Sequence, residues 1–324
     1  MNFYRRALGA GLIAAALGVT APLPAQAQDK PVIRLLVGYP AGSGSDNLAR
    51  IYADALTRLL NVTVIVDNRP GAGGQIAGQA LKAATPDSNT LMFTADHQVV
   101  MIPLVIKTPG YDVKKDMVPV GRIVNFYTCL AVPASSPAHN FNEYLDAVRK
   151  DASLGNFAIP APGSQPQFVG YVISQHFKVP MNPVPYKGGA PAITDLIGAQ
   201  VPAAAVPCDA LVEYRKAGKV RVLAVAADKR YSAMPDVQTF AELGLKMPAD
   251  NFIAVYAAAN LKPDLLRQIT EATRKMFDAP DTVAKFASTY MEPSYASPQE
   301  LEAFVDNASA FWAEQVRKSN FQAQ

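Results

Sequence analysis

The chain has 324 residues, half of them hydrophobic, with 30 basic side chains against 27 acidic ones and only two cysteines. So even a balance gives it no electrostatic reason to seek nucleic acid or a membrane surface. With no CxxC pair and no His/Cys cluster, there is nothing from which to build a structural zinc site, and no metal is expected.

Residues 1–27 read as a secretory signal. Arg5 and Arg6 form a basic start, an apolar stretch runs from Ala7 to Val19, and Ala25-Gln26-Ala27 supplies the small residues that a signal peptidase requires. The apolar run is too short to span a bilayer. Without this segment, 297 residues remain, with 28 basic side chains against 27 acidic. At that length two lobes are expected rather than one core. The expected product is an exported, soluble chain. Such a chain could bridge Cys129 and Cys208, but its size makes a disulfide unnecessary, so their pairing is left open.

An apolar run from Ile33 to Val37 predicts the first strand, and it stops at Gly38-Tyr39-Pro40. Five small residues follow, Ala41, Gly42, Ser43, Gly44 and Ser45, and Asp46 then reads as the N-cap of a helix whose apolar face includes Ala49, Tyr52, Ala53 and Leu56. A second strand, Val62–Val66, leads into Asp67-Asn68-Arg69-Pro70-Gly71-Ala72-Gly73-Gly74 and a further helix from Gln75 to Ala84. Pro86-Asp87-Ser88-Asn89 is a turn, and Thr90–Ala95 a third strand ending at Asp96-His97. Strands and helices alternating at this spacing predict an α/β lobe with a parallel sheet, whose strand ends share one ligand-binding edge.

Val118–Pro133 reads as a β-rich crossing into a second α/β set. That set has a helix at Phe141–Lys150, a strand at Asn156–Ile159, and the loop Pro160–Gln165 entering a helix that runs to Phe177. The Tyr186-Lys187-Gly188-Gly189 loop precedes a helix at Pro191–Ile197. A strand at Ala203–Val206 runs into Cys208-Asp209, and another covers Val220–Ala226. Phe252–Ala258 crosses back. Ser297-Pro298-Gln299-Glu300 is a capping box that opens the last helix, with Trp312 on its packing stripe. The expected architecture is α/β with two lobes, each a mixed sheet flanked by helices: residues 28–127 plus 252–324 form one, and 128–251 the other.

Enzymatic motifs fail in detail. Gly42-Ser43-Gly44-Ser45-Asp46 is not a GxSxG elbow, and His97, His139 and His176 share no motif with a nucleophile. A dinucleotide fingerprint would need glycine where Asn47 stands, and Asp46 puts a carboxylate where pyrophosphate would lie. No catalytic residue and no cofactor are assigned. Glycine loops before helices suit close approach of backbone N–H groups to an anion, which Gly42, Gly44, Gly73, Gly74 and Gly163 would permit. An exported enzyme using the same cleft, or a sensor presenting its closed form to a signalling partner, are the alternatives.

GYPAGSGSDNLAR, VIVDNRPGAGGQIAG, ATPDSNTLMF, VPYKGGAPAITDLIGAQV and KVRVLAVAADKRYSAMPDVQTFAELGL together resemble the Bug family, the periplasmic solute receptors of tripartite tricarboxylate transporters. The resemblance spans essentially the whole chain after residue 27. It implies a periplasmic, flytrap-like two-lobe receptor, monomeric, that binds a small organic carboxylate and delivers it to membrane transporter subunits. Carried over by position, the first-lobe contacts are Tyr39, Ala41, Gly42, Ser43, Gly44, Ser45 and Asp46, with Gly73 and Gly74 nearby. The third strand's end, Thr94 to His97, lines the same edge. In the second lobe the contacts are Gly163, Ser164, Gln165, Tyr186, Lys187, Gly188 and Asp209. Ser43, Pro202 and Gln165-Pro166-Gln167 depart from the family's usual pattern, as does the missing tryptophan in NFIAVYAAANLKPD.

Overall fold

The computed structural model describes residues 30–248 and 251–324, so the secretory signal lies outside the described residues. The strands are β1 (Val32–Val37), β2 (Thr63–Asn68), β3 (Thr90–Ala95), β4 (Met117–Phe126), β5 (Thr128–Pro133), β6 (Asn156–Ile159), β7 (Asn182–Pro185), β8 (Ala203–Pro207), β9 (Val220–Ala226), β10 (Asn251–Ala258) and β11 (Glu292–Ala296). Between them run helices α1 (Gly44–Leu60), α2 (Gln75–Lys82), α3 (Ile102–Val105), α4 (Val113–Asp116), α5 (Phe141–Lys150), α6 (Gln165–Phe177), α7 (Gly189–Ile197), α8 (Val212–Lys216), α9 (Pro263–Lys275) and α10 (Pro280–Ala287), and α11 (Pro298–Lys318) closes the chain.

The strands form two sheets, ordered β11-β4-β10-β3-β1-β2 and β7-β6-β8-β5-β9. In the first, β1 is parallel to β2 and β3, and β10 runs antiparallel to both β3 and β4. The C-terminal ends of β1 to β4 therefore lie on one edge. Since Phe126 closes β4 and Thr128 opens β5, that edge must face the second sheet. There β5 is antiparallel to β8 and β9, while β6 is parallel to β7 and β8. The second sheet thus turns the C-terminal ends of β6 to β9 back toward the first. Each lobe presents its ligand-type edge to the other.

Two layers cover the first sheet. Ile33, Leu35 and Val37 on β1 pack under Leu48, Tyr52 and Leu56 of α1, together with Ile269 of α9 and Phe286 of α10. On the opposite face Leu36 and Met92 join Leu301, Val305 and the fully buried Trp312 of α11. This second core continues through Phe168 of α6 into Phe157 and Leu130 of the other sheet. The lobes therefore share apolar contact at α6 and α11, and just beyond α11 the Phe321 ring meets Phe168 edge-on at 5.5 Å. A second contact lies near the crossing: Tyr127 donates to Glu292 Oε2 at 2.6 Å, and Ser232 donates to Glu292 Oε1 through both its N–H and hydroxyl.

The Ser297/Glu300 capping box forms as expected, with Pro298 at the first helical position. The sequence left Cys129 and Cys208 open; the structure bridges them and so ties β5 to the residue after β8. β7 and β11 escape the strand pattern because each carries proline, which cannot donate to a ladder. Both lie at sheet edges, where that loss is tolerated. The α1 cap is a correction. Ser43, not Asp46, is the N-cap, its Oγ accepting from the Asp46 N–H, and the helix begins at Gly44.

Candidate functional site: the facing strand ends

The loop after β1 is closed upon itself. Asp46, the third residue of α1 rather than its cap, is almost fully buried and turns its carboxylate back into the loop. Oδ2 accepts from the Gly42 N–H at 2.8 Å and from Arg50 Nε at 3.0 Å; Oδ1 accepts from Asn68 Nδ2 at 2.9 Å and Arg50 Nη2 at 3.1 Å. Burial alone would raise this acid, but the bonds from Gly42, Arg50 and Asn68 outweigh it and hold it below the usual carboxylate range. Asp46 is a clamp for the loop. The Ser43 N–H is also spent, on the Pro40 carbonyl. Gly44 and Ser45 N–H, the first two of α1, take no partner among the described residues.

The end of β3 is built differently. Asp96 is 7% exposed, and burial pushes its carboxyl up to about 7 against weaker help from the His97 N–H and its own. Burial likewise pushes the neighbouring His97 imidazole down to about 4, so it is neutral at physiological pH. Its ring backs onto Gly73, where an added Cβ would stand 2.9 Å from Nε2. Gln98, fully buried, sits against Gly38 and Gly74, and a side chain at Gly74 would drive into it. Gln98 Oε1 accepts from the Ala95 N–H at 3.1 Å and from Tyr39 Oη at 3.5 Å, leaving Nε2 without a partner. Burial and the nearby Asp96 charge both raise the Tyr39 hydroxyl. Gln98 is thus a candidate site residue that no sequence motif singled out.

In the second lobe, Gly163 has φ +70° and packs against the first lobe: an added Cβ would lie 3.0 Å from Val105 Cγ2. Its N–H is spent on Gln167 Oε1, the Ser164 N–H on Ala161 O, and the Gly188 N–H on Pro160 O. The Gly74 N–H is spent on Gly71 O. The N–H groups of Gly42, Gly74, Gly163 and Gly188, among the loop donors expected from the sequence, are thus engaged within the protein. The N–H groups of Gln165 at the start of α6, and of Gly189 and Ala190 at the start of α7, remain without a partner among the described residues. Tyr186 turns its hydroxyl to Asp195 at 2.7 Å, a bond that raises its pKa. Lys187 is exposed and makes no ion pair among the described residues. Asp209 follows the bridged Cys208 at the end of β8, and burial pushes it up to about 6.

Polar groups gather at these ends more than anywhere else in the core. Thr94, Asp96 and Gln98 after β3, Asn125 and Thr128 at the crossing, Ser164 and Gln165 before α6, and Asn251 at the start of β10 are all buried. Gln98 Nε2, Gln165 Oε1, Asp209 Oδ1 and Asn251 Oδ1 are buried without a hydrogen-bond partner. Buried polar atoms are normally paired, so such a concentration marks a place built to meet something else. Two other cavities do not share this character. One of about 320 Å³ opens on the outer side of β1 and β2 beside Arg34, Ile65 and Asp67, and one of about 400 Å³ lies in the second lobe between Tyr144, Leu154 and Pro202.

The comparisons with known proteins agree with this geometry. Residues 48–321 match the model of the tripartite tricarboxylate transporter family receptor. A UPF0065 protein of Bordetella bronchiseptica is 33% identical over 87% of this chain and 84% of its own length. Protein BugT of Bordetella pertussis is 27% identical over 98% of both. The solved periplasmic binding protein BugD superposes with a TM-score of 0.78 at 26% identity, over 90% of this chain and 99% of that one. Two mixed sheets, strand ends turned toward each other and a match across most of the described chain lead to one statement: this chain belongs to the tripartite tricarboxylate transporter receptor family, as a two-lobe solute-binding receptor.

Proposed function

We propose that this receptor works in the periplasm, closing its lobes on a small organic carboxylate and presenting it to the membrane subunits of a tripartite tricarboxylate-type transporter. In this reading residues 28–127 and 252–324 move as one lobe and 128–251 as the other, the chain acts as a monomer, and residues 1–27 direct export. One observation carries the ligand class. The partnerless N–H groups of Gly44 and Ser45 from one lobe, and of Gln165, Gly189 and Ala190 from the other, stand at helix N-termini on facing edges. Helix N-termini bring partial positive charge and geometry suited to a carboxylate, without any basic side chain. Of the eighteen positions carried over by family resemblance, this reading gives a direct role to Gly44, Ser45, Gln165 and Asp209.

Ligand binding without turnover is the matching chemistry. Among the described residues at these ends, His97 is neutral and packed against Gly73, and the Asp46 carboxylate is fully engaged. A thermal-shift screen across mono-, di- and tricarboxylates and neutral solutes of equal size tests the reading. Saturation at a hundred times Kd stabilises by about 2.7 kcal/mol, a shift of several degrees for a chain of this size. A shift with one or more carboxylates and none with their amides is expected. Shifts with neutral solutes alone would refute the carboxylate assignment, and loss of the added acid on long incubation would refute the non-enzymatic one.

A further inference from the structure

Tyr290 and Met291 are neighbours in the chain but belong to different cores. Met291 is buried with Leu48 and Phe286 on the α1 side of the first sheet. Tyr290 packs instead against the core of the second sheet, the one that contains Tyr127, Val212 and Tyr231. The turn after α10 parts them by setting Tyr290 at φ +62°, in the left-handed region where a residue with a side chain is strained. Such strain persists where the surroundings fix a residue from several sides. Here the Tyr290 carbonyl accepts from the Tyr231 hydroxyl, while the Tyr290 hydroxyl donates to Glu213 Oε1 at 2.5 Å and accepts from Lys216 Nζ at 3.0 Å. Two residues on, Glu292 takes its bonds from Tyr127 and Ser232. Between these two gripped residues, Met291 stands against the start of α1, its Cε 3.8 Å from the position of a Cβ added at Gly44.

Residues 290–292 are rooted in the first sheet, where Glu292 pairs with Asn125 of β4, and gripped from outside it by α8, the crossing and the Tyr231-Ser232 turn. Their side-chain bonds join two bodies, so a change in the separation of the lobes must break them, while the ladders inside each sheet are untouched. Each such bond contributes about 1 kcal/mol net. Together they are strong enough to bias an equilibrium between two lobe arrangements and weak enough for a bound molecule to shift it. We propose that Tyr290–Glu292 is an interlobe latch: made, it holds the lobes in the arrangement seen and steadies the start of α1; released, it lets the cleft widen. Tyr290 and Glu292 then act as positioning residues, setting affinity from outside the cleft through the fraction of molecules that are competent to bind. This rests on reading the chain as a receptor whose lobes close on its ligand, and it adds the device that governs closure.

Small-angle X-ray scattering of the protein without any added acid tests the proposal. The double variant Tyr231→Phe/Glu292→Ala is expected to have a radius of gyration larger than the parent's by on the order of 1 Å, against roughly 19 Å for a compact chain of this length. Its circular dichroism spectrum should be unchanged. Tyr290→Phe, which deletes one hydroxyl and leaves the ring in place, is expected to move the same way by less, and it supplies the readout if the double variant fails to fold. In calorimetric titrations with succinate, glutarate and adipate, the variants are expected to lose affinity severalfold and by the same factor for every acid that binds the parent, because the competent fraction falls while the cleft contacts stay intact. Scattering that matches the parent's in both variants would overturn the latch. A loss that reorders the acids would overturn it too, by placing these residues in contact with the ligand. Binding of none of the three acids would count against the carboxylate reading alone, since the scattering comparison contains no acid and decides the latch by itself.

Discussion

β1 and β3 are adjacent strands of one sheet, and the carboxylates that follow them live in opposite circumstances. Asp46 is saturated by Gly42, Asn68 and Arg50. Asp96 is as buried but has only weak backbone help, and its proton is held far above the usual carboxylate range. Residue type and position on the edge do not separate the two. The partners supplied by the rest of the chain do. A carboxylate saturated by internal bonds belongs to the frame; a buried one with few bonds on a ligand-facing edge is a candidate for the site.

The contrast can be broken experimentally, and the effects should descend in a definite order. Replacing both Cys129 and Cys208 with alanine should cost about 2–5 kcal/mol in denaturant unfolding, since the bridge closes a long loop. Asp46→Ala strands the Gly42 N–H, Asn68 and part of Arg50, and should cost about 3 kcal/mol. Because the folded pKa of Asp46 is depressed, its stabilising contribution is complete above the ordinary carboxylate pKa and fades as pH falls through the lower folded value. Acid unfolding of Asp46→Asn should accordingly be shallower than that of the parent.

Asp96→Asn should act with the opposite sign. The folded state holds the Asp96 proton up to about pH 7, whereas the unfolded chain releases it near 4, so native stability falls as pH rises through that window. Asparagine escapes this penalty. The variant should be more stable than the parent by about 1–3 kcal/mol at pH 8, with the gain shrinking to nothing below about pH 4. An equal effect at both extremes would mean that Asp96 is not held protonated by burial.

The smallest effects concern affinity. Gly44 has no positive φ, and an added Cβ would meet only Met291 Cε at 3.8 Å, so the fold accepts alanine there. Gly44→Ala should leave stability within about 0.5 kcal/mol. A ligand held by the Gly44 and Ser45 N–H groups would nonetheless be pushed away, weakening binding about tenfold, or 1.4 kcal/mol. Lys187→Met should weaken it by less, because that side chain is exposed. The reverse order would mean that a side-chain ion pair dominates.

Much of this was legible in the chain. β-branched runs punctuated by glycine loops marked the parallel strands, and Ser297-Pro298-Gln299-Glu300 marked the last helix to the residue. The register of the α1 cap was written in Ser43-Gly44-Ser45-Asp46, a capping-box spacing in which both residue types can cap, so local chemistry alone did not choose between them. The reasoning that selects Asp209, an acid at the end of a parallel strand, selects Asp96 equally well. Gln98 and Asn251 carried no signal, because a lone buried amide has neither periodicity nor spacing. Which glycine N–H groups remain available was also hidden. Gly42, Gly74, Gly163 and Gly188 resemble Gly44 and Gly189 in sequence, and only the folded turns show that the first group is already spent.

Hydrogen exchange with and without the best-stabilising acid tests the central claim most directly. Binding in the cleft should slow exchange in both lobes at once, at the N–H groups of Gly44 and Ser45, of Gln165, and of Gly189 and Ala190, while the outer surface of β1 and β2 stays unchanged. Protection confined to one lobe, or centred on Arg34, Ile65 and Asp67 or on Tyr144, Leu154 and Pro202, would place the ligand in another cavity and contradict the account.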